Sequence, residues 1–150
     1  MELEQFYGMN YKGARRMNQW DAPAANYTDF GANGNSFGVA DDHLAHGVDL
    51  NEQLIRNKPA TFFMRVSGDA MTGAGIFSGD VVIVDRSVKA VSGKVVIAIL
   101  NGEMLIRRLE KTFNKLRLVP ETSRLAAIDV DISGAEFSIW GVVTYVIHAL

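Results

Sequence analysis

An Asn-Gly pair, Asn101-Gly102, lies between two apolar runs and is the feature that most restricts the fold of this chain. Val95–Leu100 precedes the pair and Met104–Leu109 follows it. Because both residues of the pair tolerate positive φ angles, the pattern predicts two antiparallel strands joined by a two-residue turn. We therefore expect a sheet that is built at least partly from hairpins.

Other segments after residue 49 also show strand patterns. Val81–Asp85, like Val95–Leu100, is rich in consecutive β-branched residues, which is typical of strands covered on both faces. Asp49, with Glu52 three residues later, predicts the start of a short helix, and Pro59 closes that region. The remaining predicted strands are Thr61–Val66, Leu116–Val119 and Phe137–Ala149. The predicted class is mainly β, with twisted antiparallel sheets, hairpins and one or two short helices.

The first 48 residues differ in pattern from the rest. Their hydrophobic periodicity is poor, aromatic residues are scattered through them, and Gly31–Ser36 is a cluster of glycine and small polar residues. Such a segment cannot build a core of its own. We expect residues 1–48 to form an extended, partly ordered N-terminal arm and residues 49–150 to form a β-domain.

The totals of the chain exclude several classes of function. With 150 residues, one domain and an arm are expected, and the absence of cysteine excludes disulfides, thiolate zinc sites and cysteine nucleophiles. That absence also fits a reducing cytoplasm. A net charge of −2 does not indicate direct DNA binding, so we expect any contact with DNA to be indirect, through a partner. The N-terminus lacks the pattern of a signal peptide, and no apolar run approaches the ~20 residues that cross a bilayer, so no membrane partner is expected. No cofactor is expected either.

The segment Ser67-Gly68-Asp69-Ala70-Met71 lies between the predicted strands Thr61–Val66 and Val81–Asp85. This order resembles the LexA/UmuD family of self-cleaving serine-lysine peptidases (family S24), in which the fourth residue of Ser-Gly-Asp-Ser-Met is the nucleophile. Here that position is Ala70, and a methyl group cannot attack a carbonyl. The resemblance also implies a catalytic cleft lined by Ser67, Gly68, Asp69 and Met71.

The resemblance places the second catalytic position on the predicted hairpin. A serine-lysine peptidase needs a neutral lysine as its base, and burial lowers the pKa of that lysine. In the family this lysine lies on the second hairpin strand, where the matching residue of this chain is Arg107. Arginine stays protonated in proteins and cannot accept a proton. Both halves of the dyad are thus altered, which favours natural inactivity over an engineered change at Ala70.

The expected self-cleavage site is also altered. In the family, the chain is cut at an Ala-Gly or Cys-Gly bond upstream of the nucleophile. The corresponding part of this chain has neither pair, and its nearest substitutes are Asn33-Gly34 and Phe37-Gly38. We assign the degenerate cleavage region to Ala32, Asn33, Gly34, Phe37 and Gly38, and we expect Phe30 and Phe37 to anchor an uncut arm across the cleft.

The two ends of the resemblance favour the UmuD branch over LexA. Val48–Ile55 resembles the UmuD segment Ile-Asp-Leu-Asn-Gln-Leu-Leu-Ile, and Trp140–Ile147 resembles the closing UmuD strand. The resemblance implies a homodimer that binds an error-prone polymerase subunit of the UmuC type during the SOS DNA-damage response, with the RecA filament on single-stranded DNA as a possible further partner. It also favours a dimer interface on the closing strand over a buried central strand, at Ile139, Trp140, Val142, Val143 and Tyr145.

Three functions stay open at this point. The first is a catalytically inactive UmuD homologue that serves as a homodimeric accessory subunit of a translesion polymerase. The second is an active self-cleaving peptidase with an engineered alanine at Ala70, and the third is a LexA-like repressor fragment or an inhibitor that forms mixed dimers. Ser67 and Ser78 do not occupy the nucleophile position, and the pair His43 and His46 is more typical of a solvated polar face than of a metal site. No metal is expected.

Overall fold

The computed structural model describes the backbone of Leu3–Gly8 and the whole of residues 47–150. In these residues the protein forms eight strands: β1 (Leu3–Gly8), β2 (Thr61–Val66), β3 (Val81–Asp85), β4 (Val95–Leu100), β5 (Glu103–Lys111), β6 (Leu116–Val119), β7 (Ile128–Val130) and β8 (Phe137–Ile147). All eight lie in one sheet of order β1-β2-β3-β8-β4-β5-β6-β7, and every neighbouring pair is antiparallel. The predicted mainly β class is confirmed.

Helical structure in the described residues is short. The helix α1 covers Leu50–Leu54, and two 3-10 turns cover Lys58–Ala60 and Thr72–Ala74. The Asp49 carboxylate accepts the backbone N–H of Asn51 at 2.9 Å, as an N-cap residue does. The predicted helix start is therefore confirmed. Within the described residues, no helix has the length and apolar character needed to cross a membrane.

The β4–β5 hairpin has the predicted turn and is buried on both faces. Asn101 and Gly102 adopt φ angles of 50° and 82°, the left-handed region that the turn requires. Ile97 and Ile106 are opposite each other in register and enter a first hydrophobic cluster, which also contains core residues of β2 and β3. The alternate residues of β4 and β5 enter a second cluster with β6 and β7: Val96, Ala98, Leu105 and Leu109. This hairpin therefore lies between the two hydrophobic clusters and contributes side chains to both.

β8 is a central strand, with β3 on one edge and β4 on the other. Gly141 marks a point of close approach, because a Cβ atom built there would lie 2.6 Å from Cγ1 of Val84. The register between β4 and β8 shifts at the neighbouring residue, as it does at a β-bulge. β3 pairs with residues 142–147 of β8 and β4 pairs with residues 137–142, so the two ladders meet at Val142.

Two strands were not anticipated from the sequence. β7 has only three residues, and β1 comes from the predicted arm and pairs with β2. Residues 9–46 lie outside the described part of the chain. The predicted boundary between an arm and a β-domain at residue 48 therefore stays a prediction.

Candidate functional site

The loop between β2 and β3 carries the motif around Ala70, and backbone hydrogen bonds close its base. The N–H of Val66 donates to the carbonyl of Asp80 at 2.9 Å, and the N–H of Gly79 donates to the carbonyl of Val66 at 2.8 Å. Gly68 adopts φ 108°, a conformation that favours glycine, and its N–H donates to the Ser78 hydroxyl oxygen at 3.2 Å. The two ends of the loop are therefore fixed to each other.

Ala70 lies in apolar surroundings. Its residue surface is 4% exposed, and it belongs to the first hydrophobic cluster together with Met71, Ile97 and Ile106. Its backbone carbonyl accepts the N–H of Glu121 at 2.8 Å. The position that the family resemblance assigns to the nucleophile is thus held by packing on one side and by a backbone hydrogen bond on the other.

Glu121 joins this loop to β5, and sequence reasoning did not find it. Its carbonyl accepts the N–H of Gly73 at 2.7 Å, and its carboxylate pairs with Nε of Arg108. A Cβ atom at Gly73 would lie 2.6 Å from the Glu121 carbonyl oxygen, so the loop passes too close for a side chain there. Arg108 also donates from Nη1 to the carbonyl of Gly93 at 2.7 Å. Since Glu121 is far from Ala70 in the sequence, no local pattern could have linked them.

Arg107 is buried on the other face of β5. It is 5% exposed and stands opposite Val96 in the β4–β5 register. Because side chains alternate along a strand, Arg107 shares the face of Leu105 and Leu109, whereas Ile106 packs with Ala70 on the opposite face. Its Nη1 donates to the carbonyl of Ile106 at 2.8 Å. The pairing of Arg107 with Ala70 as a former dyad stays a prediction. Arg108, the next residue of β5, is connected to the Ala70 loop through its ion pair with Glu121.

The four predicted cleft residues have different environments. Met71 is 1% exposed and belongs to the core rather than to an open surface. Asp69 is exposed and pairs with Arg124, whose Nη1 lies 3.0 Å from its carboxylate. Gly68 is exposed and Ser67 is half-buried, so three of the four residues reach the surface.

Asp80 and His148 connect the same loop to the C-terminal end. Asp80 is 4% exposed, and its carboxylate lies 2.5 Å from Nδ1 of His148. Its other oxygen accepts the N–H of Phe77 at 2.9 Å. The structure shows that a buried carboxylate with two partners holds this loop in place.

The other predicted site residues divide into two groups. In the proposed dimer interface on β8, Val142 is 2% exposed and lies in the core, Ile139, Trp140 and Val143 are half-buried, and Tyr145 is 40% exposed. The cleavage region, the arm aromatics Phe30 and Phe37, and the His43 and His46 pair lie outside the described residues. Among the residues that the structure describes, no group of three or more His, Asp or Glu side chains could hold a metal ion.

Comparison with known proteins found one family profile and several similar proteins. The family profile described as Peptidase S24-like matches residues 29–144. Protein SamA of Salmonella typhimurium is 37% identical over 109 residues, which cover 73% of this chain and 74% of SamA. Protein ImpA of Escherichia coli is 36% identical over 113 residues, 73% of each chain, and Protein MucA of Escherichia coli is 36% identical over 98 residues, 65% of this chain and 66% of MucA. A profile match over most of the chain and relatives at this level of identity lead to one conclusion: the chain belongs to the peptidase S24 family, as a UmuD-like protein.

Proposed function

We propose that this chain is a catalytically inactive UmuD-like protein that acts in the cytoplasm as a homodimeric accessory subunit of an error-prone translesion polymerase of the UmuC type. Membership among UmuD-like proteins supports a role in error-prone DNA repair. The inactivity and the partner are the specific parts of the proposal. Its mechanism is recognition, in which the β-domain presents a binding surface and performs no peptide hydrolysis.

The observation that carries the proposal is Ala70 in its buried loop. A serine-type self-cleavage requires an oxygen nucleophile, and this position offers a methyl group that is 4% exposed. The loop around it is fixed by the left-handed Gly68, the hydrogen bonds to Glu121 and the buried Asp80. A fixed loop that presents a methyl group at this position fits a protein whose task is binding.

The position of Arg107 keeps the active-peptidase alternative open to test. Arg107 is 5% exposed on the β5 face of Leu105 and Leu109, and an arginine at the base position that the resemblance implies cannot take the proton of a restored serine. The alternative is an active self-peptidase that has only lost its nucleophile. Restoring the serine therefore separates the two functions.

The test uses the full chain with Ala70→Ser, with Ala70→Ser and Arg107→Lys together, and with Ala74→Ser as a matched control in the same loop. Each protein is incubated at alkaline pH and with RecA filament, and intact mass reports any cut. We expect Ala70→Ser and Ala74→Ser to stay whole. Self-cleavage by Ala70→Ser alone would overturn the inactive assignment, whereas cleavage only by the double variant would support Arg107 as the second position of the dyad.

The partner is tested separately, because a chain without peptidase activity need not bind a polymerase. The wild-type chain is co-expressed with a UmuC-type subunit and purified through a tag on that subunit. We expect the uncut chain to co-purify at two copies per polymerase subunit, as an accessory homodimer requires. Recovery of the polymerase subunit alone would contradict the accessory role.

A further inference from the structure

The outer edge of β2 is occupied by a strand that is remote in the sequence. β1 pairs antiparallel with β2 through the register partners Phe6 with Met64 and Tyr7 with Phe63, and the pairing extends from Leu3 to Gly8 with a register shift after Leu3. No hairpin turn joins the two strands, because residues 9–60 separate them in the chain. β1 is thus added to the sheet edge in the way that an extended peptide binds by β-augmentation.

The acceptor strand is fixed independently of β1. Its other edge pairs with β3 from Thr61 to Arg65, and its residues Thr61, Met64 and Val66 are between 1% and 3% exposed. Backbone hydrogen bonds from Arg86 to Ala60 and from Val66 to Asp80 hold its two ends at 2.9 Å each. A preformed acceptor loses little conformational entropy when a strand docks on it.

We propose that the outer edge of β2 is a strand-binding site whose ligand is β1, so that the N-terminal segment stays bound to the domain after the chain is cut between residues 9 and 46. The ligand class is an extended peptide with the sequence of Leu3–Gly8. While β1 is in place it covers the row of backbone N–H and C=O groups that an edge strand otherwise presents to other chains. Once β1 is displaced, the same edge accepts another extended segment.

The experiment cuts the full chain at a foreign protease recognition sequence inserted between Asn33 and Gly34, so its result does not depend on self-cleavage or on a polymerase partner. After complete cutting, which denaturing mass spectrometry verifies, gel filtration in native buffer shows whether the N-terminal fragment elutes with the remainder. We expect the two pieces to elute together. Separation of the fragment from the cut chain would overturn the proposal.

A variant identifies β1 as the cause of retention. Proline at both Gln5 and Phe6 removes two adjacent N–H groups, one of which points towards β2, and the matched control Glu2→Pro changes a residue before β1. We expect release of the fragment to be about tenfold faster or more in the double variant and unchanged in the control. Equal retention in the double variant would show that other contacts hold the fragment and would refute the assignment.

A peptide measurement keeps the proposal testable if the proline variant folds poorly. A synthetic peptide of residues 1–10 is added in excess to the cut wild-type chain, and a scrambled peptide of the same composition serves as the control. We expect the authentic peptide to displace the fragment and the scrambled peptide to leave it bound. Displacement by both peptides or by neither contradicts a site that recognises β1.

Discussion

Arg107 and Arg108 are neighbours in the chain, and β5 directs them to different environments. Arg108 forms an ion pair with Glu121 in which the two side chains are 35% and 32% exposed. Such a pair contributes about 1 kcal/mol or less to stability, so its main effect is to fix the position of the loop that Glu121 holds. Arg107 is 5% exposed, and a buried guanidinium is stable only where hydrogen bonds and charges compensate the lost water. A shift of one residue along β5 would therefore exchange the two arginines and change which of them is connected to Ala70 through Glu121.

Asp131 supplies a prediction about pH. The hydroxyl of Ser133 donates to its carboxylate at 2.6 Å and the N–H of Ser133 donates at 2.9 Å, and these hydrogen bonds lower the pKa of Asp131 below its ordinary value. Because the folded-state pKa is lowered, the carboxylate favours folding above its unfolded pKa, and that contribution is lost as the pH falls through the folded pKa. We expect an NMR titration of the Asp131 carboxyl carbon to have an acid-shifted midpoint that rises in Ser133→Ala.

The control for this titration is Ser87→Ala. Ser87 makes the same two contacts with Asp85, at 2.8 Å from its N–H and 2.6 Å from its hydroxyl, but it lies in another turn. The midpoint of Asp131 should not change in this variant. A midpoint of Asp131 that is the same in wild type and Ser133→Ala would refute the hydrogen-bond explanation.

At the scale of elements, β8 depends on the absence of a side chain at Gly141. A Cβ atom there would lie 2.6 Å from Cγ1 of Val84 and 3.3 Å from Cγ of Arg86, so β3 and β8 would have to move apart. We expect Gly141→Ala to lower the free energy of unfolding by about 1–3 kcal/mol, as overpacking of a dense core does. Urea denaturation measures the loss.

Gly47→Ala is the comparison variant for this measurement. A Cβ atom at Gly47 meets nothing within 4 Å, and the residue is exposed. Its change should therefore stay within about 0.5 kcal/mol of wild type. Equal effects of the two variants would mean that the contact between Gly141 and Val84 does not limit the packing of β8.

The elements that the sequence predicted are those with a local cause. The Asn101-Gly102 turn follows from backbone freedom, and the complete burial of β3 follows from its continuous β-branched run. β7 has three residues, too few for a periodic pattern, and β1 is defined by its partner rather than by its own sequence. These two strands form because they pair with segments that are remote in the chain, and a local sequence pattern does not show such pairing.

The candidate site shows the same division. Its motif placed Ala70 in the loop between β2 and β3, because the motif and its flanking strands are contiguous. The hydrogen bonds between Glu121 and the loop, and the contact between the Asp80 carboxylate and Nδ1 of His148, join residues that are far apart in the chain. Which face of β5 packs against Ala70 is set by the register of the whole sheet, so the sequence did not predict it. Alternation alone predicted only that Arg107 and Arg108 face opposite ways.

At the scale of the whole molecule, the C-terminal end of β8 bears on the proposed homodimer. The ladder with β4 ends at Val142, and beyond it the described pairing of β8 is with β3 along one edge. Tyr145 is 40% exposed, Val146 and Ile147 are each 37% exposed, and Leu150 is fully exposed. Tyr145 and Ile147 alternate onto one face of the strand, and exposed apolar side chains that share a face are typical of a surface that a partner covers.

We expect the wild-type chain to sediment as a dimer at micromolar concentration and Tyr145→Lys to weaken the dimer at least about tenfold, because burying a lysine at the centre of an apolar interface costs on the order of 1.4 kcal/mol or more. Phe113→Lys is the matched control, since Phe113 is a fully exposed aromatic residue in the connection between β5 and β6 and lies outside the proposed interface. The control should remain dimeric. A dimer that persists in Tyr145→Lys but dissociates in Phe113→Lys would move the interface to the other end of the sheet, and a monomeric wild type would remove the homodimer from the proposed function, because the exposed end of β8 would then be available to a different partner.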